Sequence, residues 1–170
     1  MRWDAEVRAA VNQALALRGV ALDPALVHAV IQRESGHRDV PAAGTLEPNG
    51  RRSYGPMQVM DTTAAMHGIT DPRSLNIPSL GIRIGTLELA RLFKLFPGDS
   101  ARAIAAYNAG PGNAARNPAT GRFINQAYVD AVLGFWNTYR GAAVPAGLLL
   151  AVAIGALLLS RRRRLAKAAA

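Results

Sequence analysis

Glu34 is the first side chain in the sequence that could do chemistry. It lies near the carboxyl-terminal end of an apolar helical segment, "LDPALVHAVIQRES". The helix dipole disfavours a negative charge at that end, and apolar neighbours penalise the ionised form as well. A carboxylic acid kept protonated near neutral pH is what a glycosidic bond needs from its general acid. On position alone, a solvated glutamate at a helix end is the alternative.

A second group of polar side chains stands in "SYGPMQVM", residues 53–60. A hydroxyl, a phenol, a flexible glycine and an amide come together where a loop is predicted to lead into a helix. The Gln58 amide could bind an acetamido or hydroxyl group, and Met57 could supply a soft apolar wall. The alternative is that Ser53 caps a helix and the apolar residues of this stretch belong to the core.

Tyr107 and Asn108 stand at the end of a helical pattern in "AIAAYNAGPGNAA", residues 103–115. The Gly-Pro-Gly run at 110–112 must end that helix. An aromatic ring with a polar tip, next to an amide, can seat a sugar ring. The same two residues can also simply close the helix, and this stretch by itself leaves both interpretations open.

The elements that must position these residues are mainly α-helical. Asp23 as N-cap and Pro24 at the first helical position predict the start of the helix that runs to Glu34. The Gly-, Pro- and Asn-rich residues 36–55 predict a long loop that could hold a small β-hairpin. The other predicted helices cover about residues 4–17, 57–68, 76–96, 98–110 and 125–139.

Residues 141–159 form a different kind of segment, because 19 residues pass without a charge or a strongly polar side chain. That length can cross a hydrocarbon core of roughly 30 Å as a helix. The "RRRR" that follows favours the cytoplasmic side. Trp136, Tyr139 and Arg140 precede the segment, where an interfacial belt would lie. A buried core helix followed by a basic tail is the alternative.

The predicted organisation is therefore a helical domain at 1–140, a transmembrane helix at 141–160 in contact with membrane lipid, and a basic tail at 161–170. The N-terminal residues 1–20 have no continuous apolar region, so a cleavable secretory signal is not predicted. The expected location is a single-pass membrane protein with its tail on the cytoplasmic side and its domain on the periplasmic side.

Composition argues against several classes of site. The chain has no Cys, so neither a disulfide framework nor a thiolate metal site is expected. Its three His residues are scattered, and no metal site or cofactor is predicted. The net charge is +9, but the tail carries five of the 20 basic residues, leaving 15 basic against 11 acidic. So mild an excess does not predict nucleic-acid binding.

Four stretches together resemble the catalytic domain of lytic transglycosylases, a family related in fold to goose-type lysozyme. They are "RES" at 33–35, "SYGPMQVM" at 53–60, "AYNAGPGNA" at 106–114 and "YVDAV" at 128–132. The resemblance covers about residues 21–139 and implies a lysozyme-like helical fold with Glu34 as the single catalytic acid and base. It also implies a substrate-binding set of Ser35, Ser53, Met57, Gln58, Tyr107, Asn108 and Tyr128.

The family cleaves the β-1,4 bond between N-acetylmuramic acid and N-acetylglucosamine in the glycan strands of peptidoglycan. The muramic hydroxyl on carbon 6 attacks in place of water and leaves a 1,6-anhydro product, so one carboxyl group suffices. A two-carboxylate hydrolase needs a second acid about 5–9 Å away. Asp39, Glu47 and Asp61 are the nearest in sequence, and nothing in the sequence distinguishes them. A hydrolase of the goose lysozyme type and a weakly active wall-binding protein are the alternatives.

The sequence departs from the family pattern in three places. The second motif usually reads Gly-Leu-Met-Gln, and here Pro56 replaces the Leu; Asp61 stands where a Pro commonly follows. Loop 36–52 also looks longer than the family's usual connection. We expect an altered groove rather than lost activity, because Pro is tolerable at the start of a helix.

The architecture also suggests a setting. A membrane span without a secretory signal would suit a phage product that opens the wall as DNA enters the cell, carried in a virion or its membrane. It would equally suit a wall-remodelling component of a secretion or conjugation apparatus. No feature of the sequence indicates an oligomeric state.

Overall fold

The computed structural model describes residues 1–40, 43–48 and 50–142. In this part of the chain, six α-helices accompany a three-stranded antiparallel sheet of order β1-β2-β3. The helices are α1 (Asp4–Arg18), α2 (Pro24–Ser35), α3 (Asp61–Met66), α4 (Pro78–Leu95), α5 (Ser100–Ala109) and α6 (Gln126–Ala142). The strands are β1 (Thr45–Leu46), β2 (Arg52–Tyr54) and β3 (Val59–Met60). Two short 3-10 helices cover Pro72–Asn76 and Pro111–Asn113. The predicted mainly helical fold, with a hairpin inside residues 36–55, is confirmed.

Helix α2 runs through the core. Asp23 Oδ1 accepts a hydrogen bond from the Ala25 backbone N–H at 2.9 Å, and Pro24 occupies the first turn, as the sequence predicts. Residues 25–31 are all buried, so the helix is enclosed on every side. Gly36 ends it with a left-handed φ of 61°. The last turn therefore carries Glu34 from the core toward the surface.

Helix α6 packs against α2 and is tied to its start by side chains. The Trp136 indole N–H and the Arg140 Nε–H both donate to Asp23 Oδ2, the former at 2.9 Å. The Tyr139 hydroxyl donates to Gln32 Oε1 at 3.2 Å. The three residues expected to form an interfacial belt thus contact the domain itself, because their polar ends find partners on and beside α2.

Helix α4 packs between α1 and α5 and supplies much of the remaining core. The buried face of α1 consists of Val7, Ala10, Val11 and Ala14. Leu15, which follows Ala14 on the helix, is half exposed. Asp99 caps α5 by accepting a hydrogen bond from the Arg102 backbone N–H at 3.0 Å.

The second motif forms a hairpin turn rather than the start of a helix. Strands β2 and β3 pair antiparallel, with Tyr54 opposite Val59. Residues 55–58 connect them in a turn closed by the Gln58 N–H and the Gly55 carbonyl at 3.0 Å. Gly55 and Gln58 both adopt positive φ, 74° and 46°, which a helix excludes. The helix predicted over 57–68 therefore begins only at α3.

Glycines let this hairpin turn dock on the helical core. A Cβ on Gly55 would lie 2.1 Å from the Leu75 carbonyl oxygen, and one on Gly81 of α4 would lie 2.2 Å from the same atom. The Asn76 side chain accepts a hydrogen bond from the Gly55 N–H at 3.1 Å. Gly55 and Gly81 thus allow the turn to pack against the Pro72–Asn76 helix and α4, and the Asn76 amide fixes it there.

The predicted membrane segment falls almost entirely outside the described residues. Only Gly141 and Ala142 of the 141–160 segment are described, as the end of α6, and the 161–170 tail is not. Among the helices of residues 1–142 that the structure describes, none combines the length and apolar character needed to span a bilayer. The transmembrane helix stays a prediction from sequence.

We expect Asp23→Ala to lower the free energy of unfolding by roughly 2–3 kcal/mol, because it removes a helix cap and strands two donors of α6. Urea denaturation followed by circular dichroism measures the change. Asp130→Ala, which removes an exposed carboxylate from α6, is the matched control and should cost less than about 0.5 kcal/mol. Equal effects of the two substitutions would contradict the role given to Asp23.

Candidate active site

Glu34 and Tyr128 join the end of α2 to the first turn of α6. The Tyr128 hydroxyl donates to Glu34 Oε1 at 2.6 Å. Burial raises the pKa of Glu34 to about 7, while the Tyr128 hydrogen bond and the nearby Arg33 oppose the rise and the charge of Glu47 adds to it. The Glu34 side chain is still partly exposed. A carboxyl group with this pKa is partly protonated near neutral pH, and the exposed part of Glu34 can be reached from solvent.

Tyr128 is a buried donor rather than a surface residue, with 4% of its area exposed. Burial, followed by the adjacent Glu34 carboxyl group, holds the pKa of the Tyr128 phenol well above its usual value. The phenol thus keeps its proton at neutral pH and donates it in the hydrogen bond to Glu34. The Arg33 guanidinium lies 5.2 Å from the Tyr128 ring centroid, which places a positive charge beside the pair.

Tyr107 connects the hairpin turn to α5. Its hydroxyl donates to the Met57 carbonyl oxygen at 3.0 Å. Burial and then the Glu34 charge raise the pKa of Tyr107 well above its usual value, so this phenol also stays protonated. Gly85 of α4 makes the contact possible, because a Cβ there would lie 2.6 Å from Met57 Sδ and 2.9 Å from the Tyr107 hydroxyl oxygen.

Ser53 and Gln58 form a second polar group around the hairpin. Ser53 Oγ lies 3.0 Å from Gln58 Oε1 and 2.5 Å from Glu47 Oε1. The Gln58 amide nitrogen donates to the Gly55 carbonyl at 2.9 Å. Glu47 follows β1 and is half-buried. Of the three acids that the sequence could not separate, Glu47 is thus the one that contacts the motif.

Asn108 is exposed at the end of α5. Its Oδ1 accepts from Asn125 Nδ2 at 3.0 Å, and the same nitrogen donates to the Ala105 carbonyl at 3.0 Å. Asn125 precedes α6, so it fixes the Asn108 amide relative to both helices. The two residues singled out by the sequence at this helix end, Tyr107 and Asn108, are therefore both held by hydrogen bonds.

A cleft of about 560 Å³ runs past these side chains. Gln58, Tyr107 and Asn108 line it together with Glu88 and Arg91. Glu34 is not in its lining. Tyr107 borders the cleft and lies close enough to Glu34 for the charge of that carboxyl group to act on it. Glu34 therefore lies near the cleft, outside its lining.

The predicted site residues separate into two sets. Four have exposed or partly exposed side chains: Glu34, Gln58, Tyr107 and Asn108. Four are buried: Ser35, Ser53, Met57 and Tyr128. The Ser35 hydroxyl donates to the Ile31 carbonyl at 3.2 Å, and the Met57 side chain lies in the core. These four support the exposed set, and their direct contact with a substrate stays a prediction.

A charged pair in the lining of the cleft, Glu88 and Arg91, was not identified from the sequence. Arg91 donates to both carboxylate oxygens of Glu88, at 2.8 and 2.7 Å, and His67 lies 3.3 Å from the same carboxylate. These partners hold the pKa of Glu88 below its usual value against the effect of burial. The i,i+3 spacing of Glu88 and Arg91 is a signal that could have found the pair. His67 gives none.

The described residues contain no group of three or more His, Cys, Asp or Glu placed to hold a metal ion. A mainly helical domain, a small antiparallel sheet beside it and a protonatable glutamate between them define the lysozyme-like class of fold.

Residues 13–126 match the family described as "Transglycosylase SLT domain". The match covers more than half of the 170-residue chain. The chain belongs to this family.

The fold is also similar to a solved structure, that of an inactive mutant of the lytic transglycosylase Slt from Pseudomonas aeruginosa. The two share 25% sequence identity with a TM-score of 0.58, over 78% of this chain. The similarity extends over only 23% of the Slt chain. The predicted family and lysozyme-like fold are confirmed.

We expect Tyr128→Phe to raise the pKa of Glu34 above its value of about 7. The lost hydrogen bond favours the ionised carboxylate, so its removal favours the protonated form. NMR titration of the Glu34 side-chain carboxyl carbon measures the change. Tyr139→Phe, which removes a hydroxyl that binds Gln32, is the control and should leave the Glu34 titration in place. An unchanged or lower pKa in Tyr128→Phe would contradict the assignment.

Proposed function

We propose that the protein is a peptidoglycan lytic transglycosylase, which cleaves the β-1,4 bond between N-acetylmuramic acid and N-acetylglucosamine and leaves a 1,6-anhydro end. The observation that carries the proposal is Glu34, a carboxyl group with a pKa of about 7 that accepts a hydrogen bond from Tyr128. Membership of the transglycosylase SLT family and the likeness to a lytic transglycosylase support it.

The proposed reaction uses one carboxyl group twice. Protonated Glu34 donates its proton to the bridging glycosidic oxygen as the bond from that oxygen to the anomeric carbon breaks. The carboxylate that forms is stabilised by the Tyr128 O–H and by Arg33. It then takes the proton of the muramic hydroxyl on carbon 6 while that oxygen bonds to the anomeric carbon. The proton count balances without water.

The cleft is proposed to hold the glycan strand. Gln58 and Asn108 offer amides and Tyr107 an aromatic ring, the groups that seat sugar rings. The buried Ser53, Met57 and Tyr128 hold these groups in place, and Ser35 stabilises the last turn of α2. The glycan is the proposed partner. We propose no nucleic-acid partner.

A hydrolase of the goose lysozyme type is the second candidate, and one observation favours it. The charge of Glu47 acts on Glu34, so the groove holds a second carboxylate that could activate water. The products separate the two reactions, because a transglycosylase leaves 1,6-anhydro ends and a hydrolase leaves reducing ends.

We expect wild-type protein to release 1,6-anhydro products from purified peptidoglycan, and Glu34→Gln to lower the rate by roughly 100-fold or more, since the amide cannot donate and retake the proton. Mass spectrometry of the products measures both. Reducing ends that carry an added water would support the hydrolase. No release by the wild type would support a wall-binding protein that keeps the groove without the activity.

Measuring the folding stability of Glu34→Gln tests whether a loss of activity comes from the lost proton transfer or from unfolding. The folded pKa of about 7 lies above the ordinary value of a Glu, so the wild type loses stability as pH rises from about 4.5 to about 7. We expect the variant to be more stable than the wild type by roughly 1–3 kcal/mol above about pH 8, and to match it near about pH 4. A less stable variant at high pH would contradict the burial of a titrating carboxyl group.

We also propose that residues 141–160 anchor the protein in a membrane, with the 161–170 tail on the cytoplasmic side and the domain on the periplasmic side. The uncharged 19-residue stretch and the "RRRR" after it support this. Helix α6 reaches Ala142, so the proposed span would follow the domain directly.

We expect the full chain to float with phospholipid vesicles in a density gradient, and a chain truncated after residue 142 to stay in the soluble fraction. The truncated chain should keep the activity of the domain, which serves as the control for folding. Equal flotation of the two chains would contradict the anchor.

The setting we propose is a phage product that opens the wall as DNA enters the cell, carried in the virion or its membrane. A wall-remodelling component of a secretion or conjugation apparatus is the alternative. The support is the combination of wall-cleaving domain and C-terminal span. Intact protein in purified virions would support the first, and a gene within a secretion cluster would overturn it.

A further inference from the structure

We propose that Glu47 is a positioning residue of the groove, which acts through Ser53 to keep the side-chain oxygen of Gln58 available to the ligand. The inference rests on the proposed function in one respect, the assignment of the cleft to an N-acetylated glycan. Its physical basis is that the Ser53 hydroxyl has one proton, for which Glu47 and Gln58 compete.

The backbone holds Glu47 at a fixed place beside the hairpin. Its N–H donates to the Arg51 carbonyl at 2.8 Å, and its own carbonyl accepts from the Gly50 N–H at 2.9 Å. These bonds close the turn between β1 and β2, which pair antiparallel with Leu46 opposite Arg52. The Glu47 side chain therefore projects from a constrained turn to the Ser53 hydroxyl on β2.

Ser53 has one proton and two acceptors. Its Oγ lies 2.5 Å from Glu47 Oε1 and 3.0 Å from Gln58 Oε1. The Gln58 amide cannot be reversed to offer its nitrogen, because that nitrogen donates to the Gly55 carbonyl at 2.9 Å and reversal would face two oxygens. Only 1% of Ser53 is exposed, so its hydroxyl proton goes to one of these two side chains rather than to solvent.

The Ser53 proton goes to the carboxylate when Glu47 is ionised, because a charge-assisted hydrogen bond is shorter and stronger than a neutral one. Gln58 Oε1 then lacks a donor from Ser53. Gln58 is half-buried and lines the cleft, so its oxygen can accept from a ligand N–H, such as that of an acetamido group. Without the Glu47 charge, Ser53 donates to Gln58 and occupies the same oxygen.

Glu47 also influences the acid. The groups that act on Glu34 are Tyr128 and Arg33, which favour its ionised form, and Glu47, which disfavours it. Tyr107 faces it as a neutral phenol. The same carboxylate thus bears on both halves of the groove: through Ser53 on the ligand-binding amide, and through space on the general acid.

Binding is measured separately from catalysis in the full chain carrying Glu34→Gln, which serves as the parent protein. The probe is the N-acetylglucosamine tetramer, and isothermal titration calorimetry measures its affinity. We expect Glu47→Gln to weaken binding by about tenfold, because Ser53 turns its proton to Gln58. Glu6→Gln, a half-buried glutamate of α1 outside the groove, is the matched control and should bind as the parent does. Equal binding by the Glu47 and Glu6 variants would overturn the proposal.

The decisive variant combines Glu47→Gln with Ser53→Ala. The double variant has no hydroxyl to occupy Gln58 Oε1, so it should bind the tetramer more tightly than Glu47→Gln alone. A purely structural role for Glu47 predicts the opposite, since two losses in one network would accumulate. A double variant weaker than the single one would therefore overturn the proposal.

The free protein gives a readout that needs no glycan. The NMR resonances of the Gln58 side-chain amide should differ between Glu47→Gln and the wild type, because Ser53 donates to Gln58 in the variant. They should be the same in Ser53→Ala and in the double variant, because neither has the Ser53 hydroxyl. Failure of the proposed function looks different. Wild-type protein that forms no 1,6-anhydro product, while Gln58 behaves as expected, would refute the reaction and leave the role of Glu47 standing.

Discussion

The hydrogen bond between Tyr128 and Glu34 is the contact on which the rest of the groove depends. It places Glu34, whose pKa is raised to about 7 by burial, beside the phenol of Tyr128, which stays protonated at neutral pH. It also pairs the end of α2 with the start of α6. At the other end of α2, Asp23 binds Trp136 near the end of α6. The two helices are thus fastened antiparallel at both ends, and the acid cannot shift without moving α6.

The wall of the groove formed by the hairpin turn depends on glycines, which have no side chain at the points of close contact. Gly85 leaves room for Met57 and Tyr107 to meet against α4, and Gly55 and Gly81 let the hairpin turn touch the Leu75 carbonyl. Each of these contacts joins segments far apart in the chain. The small sheet has few residues and little core of its own, so its position comes from these approaches more than from its strands. The polar side chains of the hairpin are therefore held in position as firmly as those on the helices.

Much of the fold could be predicted because its signals are local. Asp23 and Pro24 mark the start of α2 and Gly36 marks its end, each through a signal carried by neighbouring residues. The raised pKa of Glu34 comes chiefly from its burial at the end of that helix. The docked hairpin turn could not be predicted, because Gly55 packs against Leu75 and α4, which lie elsewhere in the sequence. Glu47 could not be separated from Asp39 and Asp61, because its contact with Ser53 depends on how the hairpin strands pair.

The attachment of α6 to Asp23 has a mechanical consequence for an anchored enzyme. Helix α6 is continuous from Gln126 to Ala142, and at 1.5 Å per residue Tyr128 stands roughly 20 Å along it from Ala142. Under the proposed anchoring, the described part of α6 would keep the catalytic pair within roughly 20 Å of the start of the anchoring segment. The enzyme would then be restricted to glycan strands that pass near the membrane.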